Sequence, residues 1–367
     1  MKFTISREAL LKPLQLVAGV VERRQTLPVL SNILLVVEGT QLSMTGTDLE
    51  VEMVGRIELE QAAEAGSITV PAKKLMDICK SLQDHVDVEL TLTGQKVTIK
   101  GGRSRFTLST LPASEFPNVE DGPENLDINI AQGALKRLID RTGFAMAQQD
   151  VRYYLNGMLL ELNGSQLRTV ATDGHRLATS LCTVDSDLGE KLQVIVPRKG
   201  ILELSRLLED SDNTAELVIG SSHIRVKTGE YTFTSKLVDG KFPDYERVIP
   251  KGGDRLVIAD RLELRQVLSR IAILSNEKYR GVRLDLTEGY LKVTANNPEQ
   301  EEAEETLAVD YQNTSMEIGF NVNYLLDALS ILSDEMVKIS MIDPNSSALV
   351  EAVDSSDSVY VIMPMRM

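Results

Sequence analysis

Apolar side chains recur along this chain at two spacings, and the two alternate. Over 71–82, Leu75, Met76, Ile78, Cys79 and Leu82 share one face at helical spacing. Just beyond, Asp87-Val-Glu-Leu-Thr-Leu92 alternates polar and apolar, which predicts a half-buried strand. Gly94, Gly101 and Gly102 mark the turns that follow. Residues 1–110 thus predict strand 2–6, helix 7–21 and strands 31–37, 41–46 and 49–58, then strand 67–70, helix 72–82 and strands 86–92, 96–100 and 103–110. Further helices are predicted over 132–147, 198–208, 260–275 and 322–333. Further strands are predicted near 157–161, 167–172, 214–219, 224–227, 231–236, 282–285, 291–295, 316–320, 337–341 and 359–363. Stretches 183–192 and 209–217 read as surface connections, and 118–125 and 250–254 as turn-rich linkers.

The pattern itself repeats. Helix openings at Pro71, Pro197 and Asn321 are 126 and 124 residues apart. Leu42-Ser-Met-Thr-Gly-Thr-Asp48 keeps the same period with Leu167-Arg-Thr-Val-Ala-Thr-Asp173 and Leu291-Lys-Val-Thr-Ala-Asn-Asn297. Phe116-Pro117-Asn118 matches Phe242-Pro243-Asp244. Three landmarks in register predict three like domains, 1–120, 128–247 and 248–367, each large enough to bury a core. Each domain has two similar halves, and each half supplies one helix and about three strands. The expected fold is therefore α+β: three repeated domains, each with two helices on one face of antiparallel sheets.

Charge gives this architecture a direction. The net charge of −15 over 367 residues, taken whole, opposes nucleic-acid binding. Yet the six helical segments carry 16 Lys or Arg against 8 Asp or Glu, while the remainder carries 23 against 46. Lys12, Arg23, Arg24, Lys73, Lys74, Lys80, Lys136, Arg137, Arg141, Arg198, Lys199 and Arg206 supply most of the positive charge. Two readings fit: ordinary solvated helix faces, or a basic lining for a polyanion under an acidic exterior. Cys79 and Cys182 fall at non-equivalent places in the repeats and fit reduced thiols, with no disulfide framework or zinc spacing. No apolar run is long enough for a signal peptide or a membrane span, so a cytoplasmic location is expected.

Several longer strings are specific. Arg152-Tyr-Tyr-Leu-Asn-Gly157, Thr169-Val-Ala-Thr-Asp-Gly-His-Arg-Leu177, Ser235-Lys-Leu-Val-Asp-Gly-Lys-Phe-Pro-Asp244, Asn296-Asn-Pro-Glu-Gln-Glu-Glu-Ala-Glu-Glu305 and Tyr360-Val-Ile-Met-Pro-Met-Arg366 resemble the bacterial DNA polymerase III beta subunit, the sliding clamp. The resemblance runs the length of the chain. It implies a non-catalytic processivity factor without a cofactor: a head-to-tail homodimer closed into a ring around duplex DNA, with helices inside and sheets outside. Closure is physically reasonable for a head-to-tail contact whose rotation closes. The implied partners are the DNA polymerase III alpha subunit, a clamp loader, and other DNA polymerases and repair proteins that carry short clamp-binding motifs.

The resemblance also assigns residues, and each has a plainer reading beside it. Thr172-Asp173-Gly174-His175-Arg176 reads as a strand-end turn, and an Asp near a His also fits a hydrolase. The resemblance implies instead a peptide pocket of Leu155, Thr172, Gly174, His175, Arg176 and Leu177, completed by Pro243, Arg247, Val248, Ser347, Val361, Ile362, Met363, Pro364, Met365 and Arg366. Methionines there suit several partners. The apolar C-terminus reads independently as a last strand with its tip on a surface, because Pro364 limits pairing. Tyr153-Tyr154 fits core or interface packing; by resemblance Arg24, Lys73, Gln149, Tyr153 and Tyr154 contact DNA without reading its sequence. Glu299–Glu305 fits a solvated turn or strand end. By resemblance, Glu301, Glu302, Glu304 and Glu305 face Lys74 of a second subunit, and Ile78, Phe106 and Leu108 pack on Ile273 and Leu274. A repeat scaffold for proteins alone, without DNA, is a third reading of the whole chain.

Overall fold

The computed structural model describes residues 1–22, 27–117 and 124–366. Its elements in chain order are β1 (Lys2–Ser6), α1 (Arg7–Val20), β2 (Asn32–Glu38), β3 (Gln41–Thr47), β4 (Val51–Glu58), β5 (Gly66–Pro71), α2 (Ala72–Ser81), β6 (Asp87–Thr93), β7 (Lys96–Gly101), β8 (Ser104–Ser109) and β9 (Glu124–Ala131). Next come α3 (Gln132–Thr142), β10 (Gly157–Thr172), β11 (Arg176–Pro197), α4 (Arg198–Leu207), β12 (Thr214–Gly220), β13 (His223–Thr228), β14 (Tyr231–Lys236) and β15 (Arg255–Asp260). The chain closes with α5 (Arg261–Ile271), β16 (Gly281–Thr287), β17 (Tyr290–Asn296), β18 (Glu302–Ala308), β19 (Met316–Asn321), α6 (Val322–Ile331), β20 (Met336–Met341), β21 (Ala348–Ala352) and β22 (Ser358–Ile362).

The six helices fall where the apolar spacing places them, and their starts show why. Ser6 Oγ accepts from Ala9 N at the head of α1, and Asp260 Oδ1 accepts from Glu263 N at 2.7 Å at the head of α5. The first N–H of each leading helix finds the same kind of acceptor: Arg7 N donates to Val86 O, Gln132 N to Asn213 O and Arg261 N to Glu335 O, all within 2.9 Å. One backbone device is thus reused along the chain. α1 buries Leu10, Leu14, Val17 and Val20 against β3 and β4. There Gly46 is required, since a Cβ on it would sit 2.4 Å from Val17 O. α5 buries Leu264, Val267, Leu268 and Ile271 against β17, β18 and α6.

The chain forms two compact units that cut across the repeat boundaries. One contains residues 1–136 and 199–237, the other 137–198 and 238–367. In the first unit, an eight-stranded sheet runs β5-β2-β3-β4-β14-β13-β12-β9. It joins the first half of repeat one to the second half of repeat two through the antiparallel pair β4–β14, with Val51 opposite Ser235. In the second unit, a six-stranded sheet runs β10-β11-β22-β21-β20-β15 and joins the next pair of halves, with Arg176 opposite Ile362. Each unit also holds a four-stranded antiparallel sheet, β1-β6-β7-β8 in the first and β18-β17-β16-β19 in the second. β8 and β18 are therefore edge strands.

Several sequence expectations need correction. Strands 157–161 and 167–172 are one continuous β10, bent by register shifts around Gly164 at φ +57. Residues 183–192 are not a loop: they lie within β11, which pairs with β10 on both sides of this stretch and, within it, at Thr183, Leu188 and Leu192. β15 and β21, not anticipated from sequence, complete the six-stranded sheet. The carboxylate-rich 299–305 segment enters β18, whose exposed side chains alternate with partly buried ones. Helices expected to reach residues 147 and 275 end at Thr142 and Ile271 and pass into short 3₁₀ turns, Gly143–Ala145 and Ala272–Leu274.

Candidate functional site

The second unit carries a partly apolar pocket of about 150 Å³. Its floor is built by alternation. Leu177 on β11 and Val361 on β22 stand opposite each other and are both buried, and both belong to a core cluster with Leu159, Val170, Ile195, Phe242 and Tyr245. Leu155 closes one side from the 3₁₀ turn before β10. Pro243, Val248 and Met363 form the rim, and Val248 and Met363 are 38% and 41% exposed. Thr172, Gly174, His175 and Arg176 line the remaining wall. Large apolar side chains left at the mouth of a hole with a hydrophobic floor suit an apolar anchor from a peptide.

Ten of the sixteen residues assigned to the pocket from sequence line it: Leu155, Thr172, Gly174, His175, Arg176, Leu177, Pro243, Val248, Val361 and Met363. Ile362 does not, because it alternates with Val361 and points to the opposite face of β22. Arg247 lies outside the lining, paired with Asp244 at 2.6 Å. Ser347 sits just before β21, and Pro364, Met365 and Arg366 continue past the rim, with Met365 N donating to Gly319 O at 2.8 Å. Sequence reasoning missed Arg152 and Tyr245 as lining residues. A signal for Tyr245 was present in its place two residues after Pro243.

The Thr172–Arg176 turn explains itself without catalysis. Asp173 Oδ1 accepts from His175 N at 2.9 Å and Arg176 N at 3.0 Å, and its other oxygen accepts from Arg176 Nε at 3.2 Å. Gly174 adopts φ +87 at the tip. The same turn forms in the first unit at Thr47-Asp48-Leu49, where Asp48 Oδ1 accepts from Glu50 N and Val51 N and Leu49 holds φ +78 with no histidine following. Asp173 and Asp48 are turn formers in equivalent settings. Arg176 is fixed from four sides: Asp173, an ion pair to Asp327, Phe144 O at 3.0 Å, and the faces of Phe144 and Tyr324.

Arg152 connects this pocket to the preceding loop. Its Nε and Nη2 bind Asp150 at 3.0 and 2.9 Å, and Nη2 also reaches Asp173 O at 3.4 Å. Hydrogen bonding by Arg152, first through its side chain and then through its backbone, holds the Asp150 carboxyl at about 2, below the usual carboxylate range. Of the DNA-contact candidates, Gln149 sits on that loop at φ +55, Tyr153 is 57% exposed beyond it, and Tyr154 packs on the pocket's core cluster. Lys73 is exposed in the first turn of α2 in the first unit. Arg24 lies outside the described residues.

The interface candidates occupy two separate places. Lys74 and Ile78 are on α2, and Phe106 and Leu108 are on edge strand β8, half-buried. In the second unit, Ile273 is 75% exposed and Leu274 half-buried in the 3₁₀ turn after α5. Glu302, Glu304 and Glu305 lie on edge strand β18, with Glu301 just before it. Glu305 is already bound by Arg270 through two contacts of 2.9 and 2.6 Å.

Part of the positive charge counted on the helices is neutralised by ion pairs. Lys12 pairs with Glu209, Lys199 with Glu22 and Asp48, and Arg206 with Glu203. Lys136 donates to Ser205 O and Arg141 to Ser358 Oγ. Lys73, Lys74 and Lys80 on α2 stay exposed.

Tandem α+β repeats sharing sheets, with an apolar-floored pocket at the β11–β22 seam, fit a protein of the sliding-clamp class. Comparison with known proteins agrees along the whole chain. Residues 1–120, 129–244 and 246–366 match the N-terminal, central and C-terminal domains of the DNA polymerase III beta subunit. A beta sliding clamp from Pseudomonas aeruginosa is 67% identical over 369 residues, and one from Escherichia coli K12 is 53% identical over 367, each covering both chains completely. A solved Pseudomonas aeruginosa sliding clamp bound to griselimycin superposes with a TM-score of 0.97 at 67% identity over both full chains. The Caulobacter crescentus polymerase III beta chain gives 0.93 at 40%, also over both full chains. The chain belongs to the DNA polymerase III beta subunit family. Its role is that of a sliding clamp in DNA replication, a non-catalytic processivity subunit.

Proposed function

We propose that two copies of this chain close head to tail around duplex DNA and tether the DNA polymerase III alpha subunit, with other DNA polymerases and repair proteins, through the pocket between β11 and β22. A clamp loader opens the ring, and the protein works in the cytoplasm. The domains run 1–120, 128–247 and 248–367. Sheet topology supports closure. Twice within the chain, the first half of one repeat joins the second half of the next edge to edge, at β4–β14 and at β11–β22. β18 and β8 are the corresponding strands left at edges. Pairing β18 of one copy with β8 of another would complete the missing eight-stranded sheet and remove both open edges. Glu301, Glu302, Glu304 and Glu305 would then face Lys74, and Ile273 and Leu274 would cover Ile78, Phe106 and Leu108. Arg24, Lys73, Gln149, Tyr153 and Tyr154 would hold the DNA backbone weakly enough to slide.

The observation that carries the tethering function is the exposed apolar rim over a buried floor at Met363, Val248 and Leu177. A fluorescent peptide from the polymerase's clamp-binding segment should bind the full-length protein, and Met363→Ala should weaken it about tenfold, ~1.4 kcal/mol. Unchanged affinity in Met363→Ala and His175→Ala would overturn the pocket assignment.

A further inference from the structure

Within the second unit, the segment that follows the leading helix of a repeat occurs twice with one local design. Asp150-Val-Arg-Tyr153 and Asn276-Glu-Lys-Tyr279 lie 126 residues apart. Asp150 Oδ1 accepts from Arg152 N at 2.8 Å, and Asn276 Oδ1 accepts from Lys278 N at 2.9 Å and Tyr279 N at 3.0 Å. In each case a short polar side chain stiffens the loop by bonding the backbone two residues on. A cation and then a tyrosine follow, and the tyrosines are 57% and 56% exposed. In the second copy Arg280 N donates back to Asn276 O at 2.8 Å, which closes the loop, and Lys278 Nζ lies 5.1 Å from the Tyr279 ring centre. The copies differ at Glu277, where the first has Val151, and in the cation, since Arg152 is bonded to Asp150 while Lys278 lies beside the Tyr279 ring.

An aromatic ring held this far into solvent on a rigid turn gains nothing from the core. A match in position, turn chemistry, following cation and exposure points to a shared ligand. Tyrosine beside a cation suits a sugar–phosphate backbone, with the ammonium on a phosphate and the ring against the sugar. We propose that Lys278 and Tyr279 form a further contact for duplex DNA, equivalent to the one read at Tyr153. This rests on the reading of Tyr153 as a DNA contact. The contact reads no sequence, which suits a protein that must slide.

The test is fluorescence anisotropy of a labelled duplex titrated with the full-length protein over a range of salt. Loss of one phosphate contact in Lys278→Ala should lower the slope of log affinity against log salt by about 0.9, which is about eightfold in affinity near 0.1 M salt. Tyr279→Ala should also weaken binding, and Tyr279→Phe should retain it. If Tyr153→Ala weakens binding while Lys278→Ala and Tyr279→Ala do not, this assignment is overturned and the reading of Tyr153 stands. If none of the three weakens binding, both fall. A drop in solution mass for Lys278→Ala would overturn the assignment by moving the loop to the subunit contact.

Discussion

Gly174 is the residue on which the pocket wall turns. At φ +87 any L side chain is strained, and a Cβ would lie 2.9 Å from Arg152 Nη2. Gly174→Ala should therefore cost about 1–2 kcal/mol of stability and push Arg152 away from Asp150. Calorimetric melting checks the first effect and peptide binding the second; a variant as stable as the parent would show that the turn relaxes freely. Leu49 holds a similar left-handed conformation at the matching turn of repeat one, at φ +78. Asp150 gives a titration to follow. Its folded pKa is lowered, so the contact with Arg152 is fully present above the ordinary carboxylate value of 3.8 and is lost as pH falls through about 2. An NMR titration of the Asp150 carboxyl should show its midpoint near 2, with no change between neutral pH and 5. A midpoint near 4 would mean that the loop is not latched in solution.

At the scale of elements, the helices and the Thr-Asp turns were legible because their signals are local. Capping residues, a helical apolar face and the landmarks spaced 126 and 124 residues apart need no knowledge of partners. Strands whose meaning comes from pairing were harder. Residues 183–192, with Ser, Asp and Gly, lack apolar alternation, yet they are drawn into β11 by an interrupted pairing with β10 at Thr183, Leu188 and Leu192. β18 was hidden by its glutamates, which an edge strand can hold out to solvent. β15 is a short apolar run fused to the start of α5 and has no turn before the helix to set it apart. The pocket was legible as separate strings, and its membership was decided by strand alternation: Val361 and Met363 line the pocket, while Ile362 is buried on the other face of β22. Helix–sheet packing offers its own test. Gly46→Ala would place a methyl 2.4 Å from the backbone oxygen of Val17, so α1 must move off β3. The expected loss is about 1–3 kcal/mol by denaturant unfolding. The equivalent position in repeat two is Ala171, already carrying a Cβ, so Ala171→Gly should not stabilise the protein.

For the whole molecule, the repeat matters because each internal copy lends half a sheet to its neighbour and the outermost halves are left with edges at β8 and β18. Closure would satisfy those edges in a second copy and turn weak, salt-sensitive contacts into lasting retention by topology. The most direct measurement is retention on nicked circular DNA after loading, followed by linearisation. The account predicts that the protein stays bound to the circle at salt concentrations that abolish binding to short duplexes, and that it leaves once the circle is cut. Equal retention on circular and linear DNA, or loss from both at the same salt, would contradict it.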